Sequence, residues 1–350
     1  MGPGARQRRA PLLQARAAGR LARGLVRRTA IAVFALAAAL AIGTPPPPAG
    51  AAAAPIFKLT DPRGDDHGDG SLIYPDRDDL KPGDLDLISF SARPEGDGTL
   101  FEATFARPIR KPARHPVDEG GTSLDWIARF GFYTFNLDVY IDMDRVPGSG
   151  ETAMLPGRRA EVDSAFAWER AICLTPNPYE AEETLKRFWF NAARERAKQT
   201  TPHLDDATED SLRQAVAADV KKRILFPTRV RVSGSTVQFL VPGSFLDGPA
   251  RAGWGYVAVV SGADIVQRLD LGTTVGLKKK PVPSLMLLPV KTGRSREAFG
   301  GGRSDDALEP PLIDILVPPG AKQETLLRDY DLRTGRPVRL PGVVPARAER

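Results

Sequence analysis

Cysteine is almost absent: Cys173 is the only one in 350 residues. No intrachain disulfide can form, so the fold rests on its core, or on its core and an ion, even where the surroundings permit disulfides. Acidic residues are missing from the first 60 positions. The apolar run TAIAVFALAAALAIG over 29–43 has 15 residues, too few for a membrane-spanning helix, which needs roughly 20. Familiar catalytic signatures are missing too. His67, His115 and His203 are far apart, and none sits in an H-E-x-x-H pattern. There is no complete Gly-x-Ser-x-Gly, and FGGGRSDD (299–306) lacks the Gly-Lys-Ser/Thr ending of a phosphate loop, which leaves a tight surface turn as its reading. Cys173 lies in the apolar RAICLTP, where an inert buried thiol is expected.

The N-terminus carries an address. Eight arginines between Arg6 and Arg28 precede the apolar run, and PPPPAGAAAAP follows it. A basic segment, a short apolar segment and small residues are the pattern of a secretory signal peptide. Cleavage is expected after Ala53, with Ala51 as the second candidate, giving a leader at 1–53 and one domain at 54–350. An uncleaved anchor is the alternative, and the only route to a membrane. Without those arginines the 49 basic residues fall to 41, against 43 acidic ones, a net charge of −2. A nearly neutral mature chain has no electrostatic warrant for binding nucleic acid. An exported protein is expected: periplasmic, cell-surface or secreted.

Most of the mature chain reads as β-structure. TLFEATFA (99–106) and FNLDVYIDMD (135–144) alternate. In the second, Phe135, Leu137, Val139 and Ile141 share one face, and Asn136, Asp138, Tyr140 and Asp142 the other. TRVRVSGSTVQFLVP (228–242) reads as two strands around a Ser-Gly-Ser turn, and WGYVAVVSGAD (254–264) and PLIDILVP (311–318) add two more. Short alternating runs bounded by Gly, Pro and Asp predict a β-sandwich or barrel. Over 179–226 the period changes. Leu185, Phe188, Trp189 and Ala192, then Leu212, Ala215 and Val216, recur at helical spacing on either side of TTPH. A helical hairpin inserted between strands and covering the sandwich is expected.

Two groups of residues offer binding chemistry. DPRGDDHGDG (61–70) packs Asp61, Asp65, Asp66 and Asp69 among three glycines, and Asp142 and Asp144 end a strand about 6.6 Å apart on one face. Closely spaced carboxylates with glycine turns supply the oxygens calcium prefers. A structural calcium that holds this loop against the strand ending at Asp142 is one reading, and an Asx-turn loop satisfied by its own backbone is the other. Exposed aromatic faces can stack on sugar rings, which makes Trp126, Tyr133, Tyr140 and Trp254 the ligand-facing candidates. The core is the commoner fate of such residues.

Six motifs then stand in one order. DPRGDDHGDGSLIYP is followed by KPGDLDLISF, FYTFNLDVYIDMD, LPGRRAEV with Trp168, VPGSFLD with GWGYVAVV, and FGGGRSDD with PPLIDILVPPGAKQETLL. From about Asp61 to about Leu327 the chain resembles the glucodextranase C-terminal domain family, related to DOMON and family-nine carbohydrate-binding modules. The resemblance implies an immunoglobulin-like β-sandwich that binds a carbohydrate, such as an α-glucan, or a cell-envelope polymer without catalysis. It supplies no catalytic residue. Two rival functions remain at this point. One is a glycoside hydrolase using two of the clustered carboxylates, which must stand about 5–9.5 Å apart in a cleft. The other is an envelope assembly protein that binds a protein partner through the hairpin.

Overall fold

The computed structural model describes residues 53–114, 123–265, 285–306 and 308–346. The expected leader lies outside the described residues up to position 52, and so does His115. Among the described residues, no helix is long and apolar enough to cross a membrane.

The alternating runs become two five-stranded sheets. The first is antiparallel, in the order β1 (Phe57–Thr60), β2 (Leu87–Glu95), β3 (Gly98–Phe105), β9 (Thr236–Val241) and β8 (Val230–Ser233). The Ser-Gly-Ser turn between β8 and β9 has Gly234 at φ +59°, a conformation that glycine adopts without penalty. The second sheet runs β11 (Asp314–Ile315), β10 (Gly255–Gly262), β4 (Phe135–Asp142), β6 (Arg170–Leu174) and β7 (Ile224–Leu225). Only its β6–β7 pair is parallel. β5 (Ala160–Val162) and β12 (Val338–Leu340) form a small parallel pair. Three short helices, α1 (Leu124–Ile127), α4 (Gly243–Leu246) and α5 (Gln323–Leu327), join these elements.

Both sheets contribute to one buried cluster. Phe90, Phe101 and Phe239 enter it from the first sheet, and Phe135, Leu137, Val139 and Ile141 from β4. The Phe101 ring stacks on Phe90 and on Phe239, each at 5.6 Å between centroids. The expected alternation of β4 therefore holds on this face. Its opposite face does not meet water, because every residue of β4 is buried. A second cluster covers it, in which Tyr140, Trp168 and Val257 meet Ala181, Leu185 and Val220 from the helices.

Those helices, α2 (Pro178–Thr200) and α3 (Asp206–Arg223), form the expected hairpin. Asn177 caps α2 by accepting from the Glu180 N–H, and Pro178 occupies the first turn, where a missing N–H is harmless. Asp205 caps α3 by accepting from Thr208 N–H at 2.8 Å. Leu185 is buried, and Trp189 and Val216 pack on the second cluster, as the spacing predicts. Ala215, however, is exposed, and the fully buried residue of α3 is Val220.

One ion pair is embedded beneath this cover. Arg158 grips Asp138 of β4 through Nε at 2.6 Å and Nη2 at 3.0 Å. The side chains are 0 % and 1 % exposed. The remaining guanidinium donors reach the Pro156 carbonyl at 3.1 Å and the Cys173 sulfur at 3.7 Å. Cys173 is a buried thiol whose pKa is pushed up by burial and by the Asp138 charge, which fits the inert role expected of it.

Candidate functional site

β1 delivers the chain directly into the acidic loop at Asp61, and β2 begins one residue after Asp86. Asp314 opens β11. These elements bring together carboxylates that are up to 253 positions apart in sequence. One oxygen each of Asp61, Asp65 and Asp314 lies within 4.8 Å of the others. Asp61 accepts from Val317 N–H at 3.0 Å, Asp86 from Gly64 N–H at 2.8 Å, and Asp314 from Leu87 N–H at 2.5 Å. In each case the other oxygen, together with Asp65 Oδ1, is closed off from solvent and has no hydrogen-bond partner. Burial, then repulsion by the neighbouring carboxylates, raises Asp61, Asp86 and Asp314 above the ordinary carboxylate value. The same causes push Asp65 up to about 6.

Gln323 of α5 locks the loop in place. Its Oε1 accepts from Ile315 N–H at 2.8 Å, and its Nε2 donates to the carbonyls of Asp65, Gly68 and Ile313. The glycine-rich run closes the other side. Gly300 exchanges backbone hydrogen bonds with Ile73, and a Cβ on Gly301 (φ +85°) would stand 1.9 Å from the Ser71 carbonyl oxygen. FGGGRSDD is thus a packing partner of the acidic loop.

Asp66 and Asp69 have other work. Asp66 accepts from the Tyr74 hydroxyl and, at 2.6 Å, from Gly83 N–H. Asp69 accepts from Ser71 N–H at 3.0 Å and lies 3.7 Å from Arg303. Asp142 and Asp144 come together with Glu169, but as a separate group. Asp314 is registered with Val260 and Asp142 with Gly255, five residues apart on β10, or about 17 Å along the strand. The loop therefore does not meet the strand end at Asp142. In that second group Arg145 pairs with Asp142, Ser149 Oγ donates to Asp144 at 3.0 Å, and Met143 N–H donates to Glu169 at 2.7 Å. This is the self-satisfied turn. The cluster with orphaned oxygens includes two residues that the sequence reading passed over, Asp86 and Asp314. The available signal was an aspartate inside the apolar PLIDILVP, since a buried carboxylate needs compensation.

The four aromatic candidates separate. Tyr140 and Trp254 are 1 % and 5 % exposed and belong to the core, and Tyr133 is buried too, its phenol raised to about 12 by burial and by Asp79. Rings so enclosed have no face to offer a polymer. Trp126 on α1 is 70 % exposed and borders a groove of about 460 Å³. Tyr179, the second residue of α2, is 59 % exposed and lines the same groove, with Arg129, Asn177, Glu180 and Glu183 as its polar groups. Tyr179 escaped the sequence reading because it looks like an ordinary helix-start residue.

A sequence profile describing the C-terminal, SLH-like binding module of glucodextranase matches residues 56–342, more than four-fifths of the chain. The chain belongs to this family. Comparison with curated proteins gave no match. In this glucodextranase-type module the motifs that run in order along the sequence have structural duties. DPRGDDHGDG, KPGDLDLISF and PPLIDILVPPG supply the buried carboxylates, and LPGRRAEV supplies the guanidinium that neutralises Asp138. The family is one of binding modules.

Proposed function

We propose that this chain is an exported, non-catalytic module that binds polysaccharide of the α-glucan type. On this reading a leader ending at Ala53 is removed, and the remaining single domain is an immunoglobulin-like β-sandwich with the hairpin as an insertion. Sugar rings stack on Trp126 and Tyr179. Asn177, Arg129, Glu180 and Glu183 meet the hydroxyls. The observation that carries the reading is this pair of exposed aromatic rings on one groove in a member of a binding-module family. Large exposed aromatics are uncommon, and paired with convergent polar groups they suit a ligand that is apolar on one side and hydroxylated at its edge. The absence of catalysis in this proposal draws support from the orphaned carboxylate oxygens, which are sealed from solvent and cannot touch a glycosidic bond.

The test is depletion of the protein by insoluble glucans and affinity electrophoresis in soluble ones, with assay for released sugar. Binding without sugar release is the expected outcome. Trp126→Ala and Tyr179→Ala should each weaken it roughly tenfold or more, the size of an interface hot spot, with little loss of thermal stability. Retention on cell-envelope polymer but on no glucan, lost in Trp126→Ala, would move the ligand class and keep the groove. Unchanged glucan binding in both variants would remove the groove from the reading.

A further inference from the structure

The buried carboxylates at 61, 65, 86 and 314 have chemistry that the aromatic groove does not use. Four side-chain oxygens are closed off from solvent without a donor. Asp86 and Asp314 are 2 % and 0 % exposed as residues. Among the described residues, no Lys or Arg is ion-paired to any of the four. Arg63 and His67 act on Asp86 only through their more distant charge. Unneutralised carboxylates in an interior are costly, and the cost is removed by proton uptake or by a positive charge at the point of convergence. Backbone N–H groups hold the second oxygens of Asp61, Asp86 and Asp314, so these carboxylates are pinned with one oxygen each facing inward. That is how ligating carboxylates are oriented from outside the coordination sphere.

We propose that Asp61, Asp65 and Asp314 bind one calcium ion that fastens the edges of the two sheets together, with Asp86 adding negative charge from beside the group. The set holds oxygen donors only, with no imidazole or thiolate in the group, which selects a hard cation over zinc. Calcium tolerates irregular carboxylate geometry, whereas magnesium demands a near-ideal octahedron. Asp61 follows β1 and Asp86 precedes β2, both in the first sheet, while Asp314 belongs to β11 at the edge of the second. An ion here links chain segments far apart in sequence, the task a disulfide performs in many exported proteins and which a single cysteine cannot.

The experiment uses the full chain, purified with calcium and then treated with EGTA, with metal content and thermal unfolding both measured. One calcium per chain is expected, with a midpoint about 10 °C higher in excess calcium than in chelator, as ligation at about a thousandfold over Kd implies. D314N should bind no calcium and lose the shift, and D86N should weaken both. If either fails to fold, D61N, at a less buried ligand, should show the same loss. The double variant D144N/E169Q, in the self-satisfied turn, should keep both. Wild-type protein with neither bound metal nor a shift overturns the proposal. So does full calcium content in D61N and D314N, or its loss in D144N/E169Q. An equal shift from magnesium at the same concentration overturns the choice of ion.

Discussion

Arg158→Met lowers stability by about 3–5 kcal/mol, the cost of leaving a buried charge without its partner. Urea unfolding should show a lower midpoint with an unchanged slope. The size follows from where Asp138 lies. It sits in the middle of the central strand β4, with its carboxylate 1 % exposed, and Arg158 supplies both of the close donors to it. Methionine fills the volume and donates nothing. Water cannot replace the guanidinium without opening the cover formed by α2, α3 and the β5–β12 pair. The double variant Asp138→Leu/Arg158→Met should recover most of the loss, because two apolar side chains of similar bulk carry no desolvation penalty. A single variant within about 1 kcal/mol of the parent would mean that water reaches Asp138 readily and that the pair contributes little.

Trp168→Ala is the second large effect, about 3–5 kcal/mol, in the range for truncating a fully buried large aromatic. The indole is 2 % exposed, packs 5.6 Å from the Tyr140 ring and donates to the Ala153 carbonyl at 3.1 Å. Arg223, at the end of α3, lies 5.8 Å over the same ring and pairs with Glu151 at 2.9 Å. Trp168 therefore joins the sheet to the hairpin. Trp168→Phe should cost clearly less, since it keeps most of the volume. The same packing bears on removal of 179–226. That deletion takes Ala181, Leu185 and Val220 out of the second cluster and removes β7, so loss of near-ultraviolet circular dichroism is the expected result. The hairpin is part of the core, and a partner-binding role for it cannot be tested by cutting it away. Point changes on its outer face are the suitable variants.

The sequence made some features plain and hid others, for physical reasons. The alternation of β4, the Ser-Gly-Ser turn and the helical hairpin are local, and local spacing reveals them. The cover over β4 was not legible: Asp138, Tyr140 and Asp142 have the polar pattern of a solvated face, and only tertiary packing shows that Arg158 meets Asp138, the second cluster encloses Tyr140 and Arg145 meets Asp142. The acidic loop announced itself by density, which pointed to Asp66 and Asp69. Both are satisfied by a tyrosine hydroxyl, a serine and backbone N–H groups that no spacing rule predicts. The partner that does converge on Asp61 and Asp65, Asp314, stands 249 positions beyond Asp65, in a strand whose pairing sets its place. Tyr140 and Trp254 illustrate the limit for aromatics, since composition does not distinguish a ring that faces a ligand from one that fills a core.

Tyr179 belongs to the insertion, whereas Trp126 precedes β4 and belongs to the strand framework. The two walls of the groove thus have separate origins. A homologous chain in which β6 led straight to β8 would keep one ring and lose the surface opposite it. On the proposed reading, ligand preference can change through the outer face of the hairpin, while its inner face stays bound to the second cluster. Substitutions at the exposed positions Tyr179, Glu180 and Glu183 in the first turns of α2 are, on that reading, the economical route to redirecting the ligand.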